Sequence, residues 1–138
     1  MKKKIIMSLL SVFMMICFAV PVFAEVSSST FNLTKAGSSG GNSYNVGRYL
    51  DVDSKGTVEF SIHGTNVARG WNIQVSLING STGKSAGKVT LTDTKTSGKF
   101  TNLLASDSYI IAVKNLDSSS RSGTFNYSWT GKWGGFIN

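Results

Sequence analysis

Short runs in which apolar and polar residues strictly alternate dominate this chain, and clusters of Gly, Ser and Asn separate them. A period of two places every second side chain on one face of an extended strand, so each run has one face for a core and one for solvent. Thr57–His63 (TVEFSIH) puts Val58, Phe60 and Ile62 together. Trp71–Ile78 (WNIQVSLI) does the same for Trp71, Ile73, Val75 and Leu77. Thr124–Trp129 (TFNYSW) aligns Phe125, Tyr127 and Trp129. Lys88–Thr92, Thr30–Thr34 and a run from Lys99 to Leu103 that starts with Phe100 are shorter strands of the same kind. Ser108–Lys114 (SYIIAVK) is apolar at both parities, which predicts a central strand covered on both faces. Tyr44–Val52 supplies Tyr44 and Val46 and then Leu50 and Val52, a weaker strand pattern.

Turn residues fall between the runs, at 37–42, Ser54-Lys55-Gly56, 79–83, Ser97-Gly98 and 117–123. No segment keeps a helical period over 10 or more residues. The expected fold is therefore all-β: a small antiparallel β-sandwich, jelly-roll-like, with seven or eight strands. The Cys, Trp, Cys signature of an immunoglobulin domain is absent.

The first 24 residues differ in kind. Lys2, Lys3 and Lys4 precede an apolar run from Ile5 to Val20, Pro21 breaks it, and Ala24 places a small residue before Glu25. This layout predicts a secretory signal peptide over residues 1–24 and one domain over 25–138. A membrane anchor and a lipid attached at Cys17 are the competing readings. Bulky Ile16 before that cysteine argues against the lipid. The segment holds all four Met and the one Cys and one Pro. The remaining 114 residues contain 46 Ser, Thr and Gly, 11 bases and 7 acids, a net charge of +4. Without cysteine, no disulfide framework and no thiol chemistry is available to that domain. Its positive charge favours anionic partners.

Tyr49–Ile62 (YLDVDSKGTVEFSI), Tyr109–Asn115 (YIIAVKN) and Ser122–Trp129 (SGTFNYSW) resemble stretches of the small β-sandwich accessory domains appended to secreted bacterial proteases. The resemblance lies in alternation and turns. It implies the sandwich and carries no functional residue.

Candidate chemistry is sparse. His63 is the one imidazole and ends its strand on the polar parity; no Ser sits in a nucleophile elbow beside it. Its plain reading is a strand-end residue facing water. Asp51, Asp53 and Gly56 resemble the start of a calcium loop, but Lys55 and Ile62 stand where oxygen ligands belong, so a polar turn is the better reading and no metal is expected. Glu59 with Asp51 or Asp53 is a weak candidate for a glycosidase carboxylate pair. Lys84, Lys88, Lys95 and Lys99 face Asp93 alone over 84–99. Lys88 and Lys99 point outward from neighbouring strands of an expected hairpin, so these four are candidate contacts for phosphate or carboxylate groups. Solvated lysines that discourage strand pairing are the alternative.

Trp133 and Phe136 lie in a Gly-rich tail, as Tyr44 and Tyr49 flank a Gly-rich loop. Exposed aromatic faces stack on sugar rings; the alternative is that the tail folds back over an open end of the sandwich. Three Asn-x-Ser/Thr triplets (at Asn32, Asn79 and Asn126) carry no weight in a chain this rich in Ser and Thr. No phosphate-binding Gly loop or dinucleotide fingerprint is present, and no cofactor is expected.

The function these features predict is a secreted, non-catalytic binding protein of the bacterial cell envelope. It would contact anionic wall polymer or glycan through the four lysines, Trp133 and Phe136, with nucleic acid not expected. Alternatives are a membrane-acting antimicrobial β-protein and a structural subunit of an extracellular matrix.

Overall fold

The alternating runs all become strands. In a computed structural model that describes residues 24–38, 42–105 and 107–138, nine strands form and every pairing is antiparallel. They are β1 (Ala24–Leu33), β2 (Ser43–Asn45), β3 (Arg48–Val52), β4 (Gly56–His63), β5 (Asn72–Asn79), β6 (Ser85–Thr92), β7 (Ser97–Leu103), β8 (Ser108–Asn115) and β9 (Arg121–Phe136). The expected leader lies outside the described residues apart from Ala24.

One sheet has the order β1-β9-β4-β7. The other has the order β6-β5-β8, with β2 and then β3 following one another along the free side of β8. This is the strand order of a jelly roll. The inward parities fill the space between the sheets. Val58, Ile73, Val75, Leu77, Leu91, Ile111, Val113 and Phe125 are fully buried, and Phe125 and Tyr127 stack at 5.4 Å between ring centroids. Outward parities carry mostly Ser, Thr, Asn, Gln, Glu and Lys.

One strand, β9, bends across from one sheet to the other, and β3 and β4 with the turn between them follow it. β9 pairs with β1 and β4 up to Thr130, then with β3 from Gly131 to Phe136. β3 and β4 run along it in the same order through the turn at 53–55. The corner is tied by Asp53 N–H to the Thr130 carbonyl (2.8 Å) and by Thr57 N–H to Thr130 Oγ1 (3.0 Å). Glycine is required at two points. A Cβ on Gly131, whose φ is +153°, would strike the Asp51 carbonyl, and one on Gly56 would strike Val52 and Thr130. On the far side β6 and β7 share no backbone ladder among the described residues: one bridge, Thr92 with Lys95, closes the turn between them and the strands then splay, so the sandwich is almost closed into a barrel.

One local expectation changes, and two features go beyond what alternation indicated. β8 is buried on one face only: Tyr109, Ile111 and Val113 point in, while Ile110 and Ala112 are half-exposed on the outer face. Phe100 and Leu103 both point inward although three residues apart, because Asn102 at φ 57° inserts a bulge opposite Gly56–Val58. The glycine-rich tail is no loose end: it is the second half of β9.

Between β8 and β9 the polar groups are satisfied by one another. Buried Asn115 donates from Nδ2 to the Thr34 and Ser119 carbonyls, both at 2.8 Å, and accepts from Asp117 N–H at 2.9 Å. Asp117 in turn accepts from Asn72 N–H (2.9 Å), Asn72 Nδ2 (3.0 Å) and Arg121 Nε (2.9 Å). Desolvation pushes its carboxyl up, but these bonds and the Arg121 charge outweigh it, so the group sits below its ordinary 3.8.

Two predictions follow from this packing. Gly131→Ala is expected to cost roughly 2–4 kcal/mol through strain and overlap. Gly135→Ala, with nothing within 4 Å of the added carbon, is expected to stay within about 0.5 kcal/mol. Denaturant melts of the two variants check this. For Asp117, a depressed pKa adds stability above the unfolded value and loses it as pH falls through the folded one. Asp117→Asn should therefore lower the melting temperature at pH 7, and the gap to wild type should close as pH drops below 3.8. An equal gap at all pH values would refute the charge-dependent role.

Candidate functional site

Register along the first sheet decides which polar side chains share its outer face. Val26, Ser128, Glu59 and Lys99 form one row across β1, β9, β4 and β7. Ser28, Asn126, Ser61 and Ser97 form the next. Thr30, Thr124 and His63 form a third. Serines dominate the middle row, and short side chains leave the face low there. A shallow trough of about 560 Å³ results, running from Val26 over Ser128, Asn126, Glu59 and Ser61 to Lys99. Hydroxyl, amide, carboxylate and ammonium groups thus meet on one surface, a mixture of donors and acceptors suited to a ligand rich in hydroxyls.

His63 sits at the margin of this face, exposed, with Nδ1 3.2 Å from Asn126 Nδ2. Its contact is thus an amide. Asp51, Asp53 and Asp107 line a separate cleft of about 320 Å³ with Lys132 among them. Asp51 is already engaged, accepting from Ser108 Oγ at 2.6 Å, and Asp53 closes the turn to Gly56 through its carbonyl. Among the described residues no three His, Cys, Asp or Glu side chains converge to hold a metal ion.

The four lysines are all exposed, but they do not make one ridge. Lys88 and Lys99 lie on facing stretches of β6 and β7, where Phe100 covers Gly87 and Val89 approaches Gly98. Those strands belong to different sheets and splay apart after Thr92 and Lys95, so the expected hairpin ladder is absent. Glu59 stands directly opposite Lys99 and offsets its charge, whereas Ser76 stands opposite Lys88. Lys84 and Lys95 occupy the two turns that flank β6. Lys99 alone of the four joins the trough.

Trp133 and Phe136 separate. Trp133 is opposite Leu50, points inward and packs edge-on against Trp129 at 4.5 Å. Phe136 is 74% exposed. Between them lies Arg48, its guanidinium carbon 4.9 Å from each ring centroid. Sequence reading passed over Arg48, although one signal was available: it interrupts the inward parity that runs Tyr44, Val46, Arg48, Leu50, Val52. Tyr44 also points inward and shares a 2.5 Å hydrogen bond with Ser29 of β1. Tyr127 lies opposite Ser27; burial raises its hydroxyl pKa, and the hydrogen bond to Ser27 works against that rise.

No protein-family model matches the chain, and no curated protein does. Solved structures do. The Yersinia pseudotuberculosis-derived mitogen matches with a TM-score of 0.50 at 14% identity, over 80% of this chain and 88% of that one. A protein of Bacillus endospore appendages, described as disulfide-linked pili, gives 0.40 at 14%, over 83% and 89%. The Drosophila NLP core, described with pentamer formation and histone binding, gives 0.37 at 12%, over 78% and 98%. At these identities the first likeness concerns the fold alone.

Proposed function

We propose that this protein is a non-catalytic binding module, exported and held at the bacterial cell envelope, that takes a glycan segment along the trough on the outer face of β1-β9-β4-β7. One observation carries this reading: four adjacent strands present hydroxyl, amide and charged side chains on one continuous concave surface. Sugar hydroxyls both donate and accept, so Ser61, Ser97, Ser128 and Asn126 suit them, and Glu59 and Lys99 add the stronger charge-assisted bonds. The signal-like leader and the +4 charge of residues 25–138 support an exported protein near anionic polymer. The dispersed lysines then act as long-range attraction, which salt screens.

The membrane-acting alternative asks for apolar outward faces on the strands. Here the outward rows are polar, which weighs against it. The matrix-subunit alternative has one observation in its favour. β1 pairs with β9 on one side only, over a ten-residue ladder without a bulge and with neither Lys nor Pro in it. Such an edge is open to a further strand.

Retention of the protein on purified cell walls, with and without teichoic acid and across a salt series, tests the main reading. Ser61→Tyr and Asn126→Tyr fill the trough while leaving the core untouched, so retention should drop about tenfold or more at a nearly unchanged melting temperature. Full retention by both variants rejects the trough. For the alternative, sedimentation at rising concentration should show a growing mass if β1 edges pair; a monomer throughout removes that reading.

A further inference from the structure

Arg48 occupies an unusual seat. Of the inward positions from Tyr44 to Val52, Tyr44, Val46, Leu50 and Val52 pack in or against the core, and Arg48 alone is charged. Its guanidinium lies over Trp133 and Phe136, 4.9 Å from each centroid, a cation held against two ring faces. Nε–H and one Nη2–H both donate to the Gly134 carbonyl, at 3.2 and 2.8 Å. A guanidinium has five N–H groups in a rigid plane. Those two bonds use the Nε edge and fix the plane. The end-on edge, formed by Nη1 and the second Nη2–H, makes no bond to any described residue. No described carboxylate lies within 4 Å of Arg48; among the described residues the one ion pair joins Arg121 and Asp117.

We infer that the end-on edge of Arg48 is a receptor for an oxyanion: a carboxylate or phosphate group carried by an acidic glycan or wall-polymer unit, whose ring lies against exposed Phe136. Three features combine. The cation is half-buried against aromatic rings, so it has lost part of its hydration without gaining a counter-ion. Its orientation is set in advance by Gly134 and by the two rings, which lowers the ordering cost of binding. Its free N–H pair matches two oxygens of one carboxylate or phosphate in parallel. Phe136, opposite Arg48 in the β3–β9 ladder, offers an apolar face beside the anion. In naming a glycan unit this rests on the proposed function, and it adds the acidic group to it. The seat is on the inward side of β3 and β9, away from the outer-face trough, so the two tests fail separately.

The experiment follows the Arg48 Nε–H and Trp133 Nε1–H signals by NMR during titration of the protein with glucuronate, glycerol phosphate or glucose. Saturable shifts of both signals with glucuronate, with glycerol phosphate or with both are expected, and which of them binds identifies carboxylate or phosphate as the source. Glucose should leave both signals in place. Arg48→Lys keeps the charge but loses the planar fork, so affinity should fall about tenfold or more, read from the Trp133 signal. Arg48→Ala should abolish the shift. No shift with either anion, an equal shift with glucose, or undiminished affinity in Arg48→Lys would overturn the inference. Ser61→Tyr, which fills the trough, should leave this titration unchanged.

Discussion

At the corner where β9 leaves one sheet for the other, two positions have no room for a side chain. Gly131 lies against the Asp51 backbone carbonyl, and Gly56 lies against the side chains of Val52 and Thr130. Because β3 and β4 bend alongside β9, hydrogen bonding continues through the corner instead of ending at an edge. That shared bend joins the two sheets along one side and sets the distance between them. The core then has a defined gap to fill, and Trp129, Tyr127, Phe125 and Phe60 fill it as a file of rings at centroid spacings of 5.4 to 6.2 Å. The bend also carries Trp133 onto Trp129 and swings the end of β9 beside β3, where Arg48 finds its two rings.

The other side of the sandwich is closed less tightly, and different forces act there. Beyond the Thr92–Lys95 bridge in their connecting turn, packing takes over from backbone pairing between β6 and β7: Phe100 covers Gly87, and Val89 approaches Gly98. Exposed lysines along these two strands discourage a foreign strand from entering the seam. The inward serines of β1 make hydroxyl contacts, Ser29 with Tyr44 and Ser27 with Tyr127, in place of apolar packing. Polar satisfaction also closes the far loops, where Asn115 and Asp117 tie the β8–β9 connection to residues 34 and 72.

The binding proposed for this scaffold uses two surfaces. The outer trough and the Arg48 seat differ in chemistry. The trough offers many short donors and acceptors across four strands, a surface for length. The seat offers one oriented cation beside one exposed ring, a surface for a single group. A polymer that is rich in hydroxyls and bears occasional acidic groups would match both.

Alternation along the chain was enough to indicate the all-β sandwich, most of its strands and most of its inward residues, because a period of two leaves a half-buried strand no other face to bury. Val58, Phe60, Ile62, Phe125, Tyr127 and Trp129 are inward as their parity demands. Charge and residue type singled out Lys84, Lys88, Lys95, Lys99 and Phe136, which are exposed, but also Trp133, which packs inward on Trp129. Other features depended on which strands became neighbours, and that is a property of pairing, not of local pattern. Pairing put Glu59 opposite Lys99, set Lys88 and Lys99 on different sheets, and turned the glycine tail into a strand. It also brought Trp133 and Phe136, nearly ninety residues away in the chain, onto Arg48. Local sequence reports the face a side chain takes; only the folded register reports what stands opposite it, because hydrogen-bonded partners are chosen by the whole sheet at once.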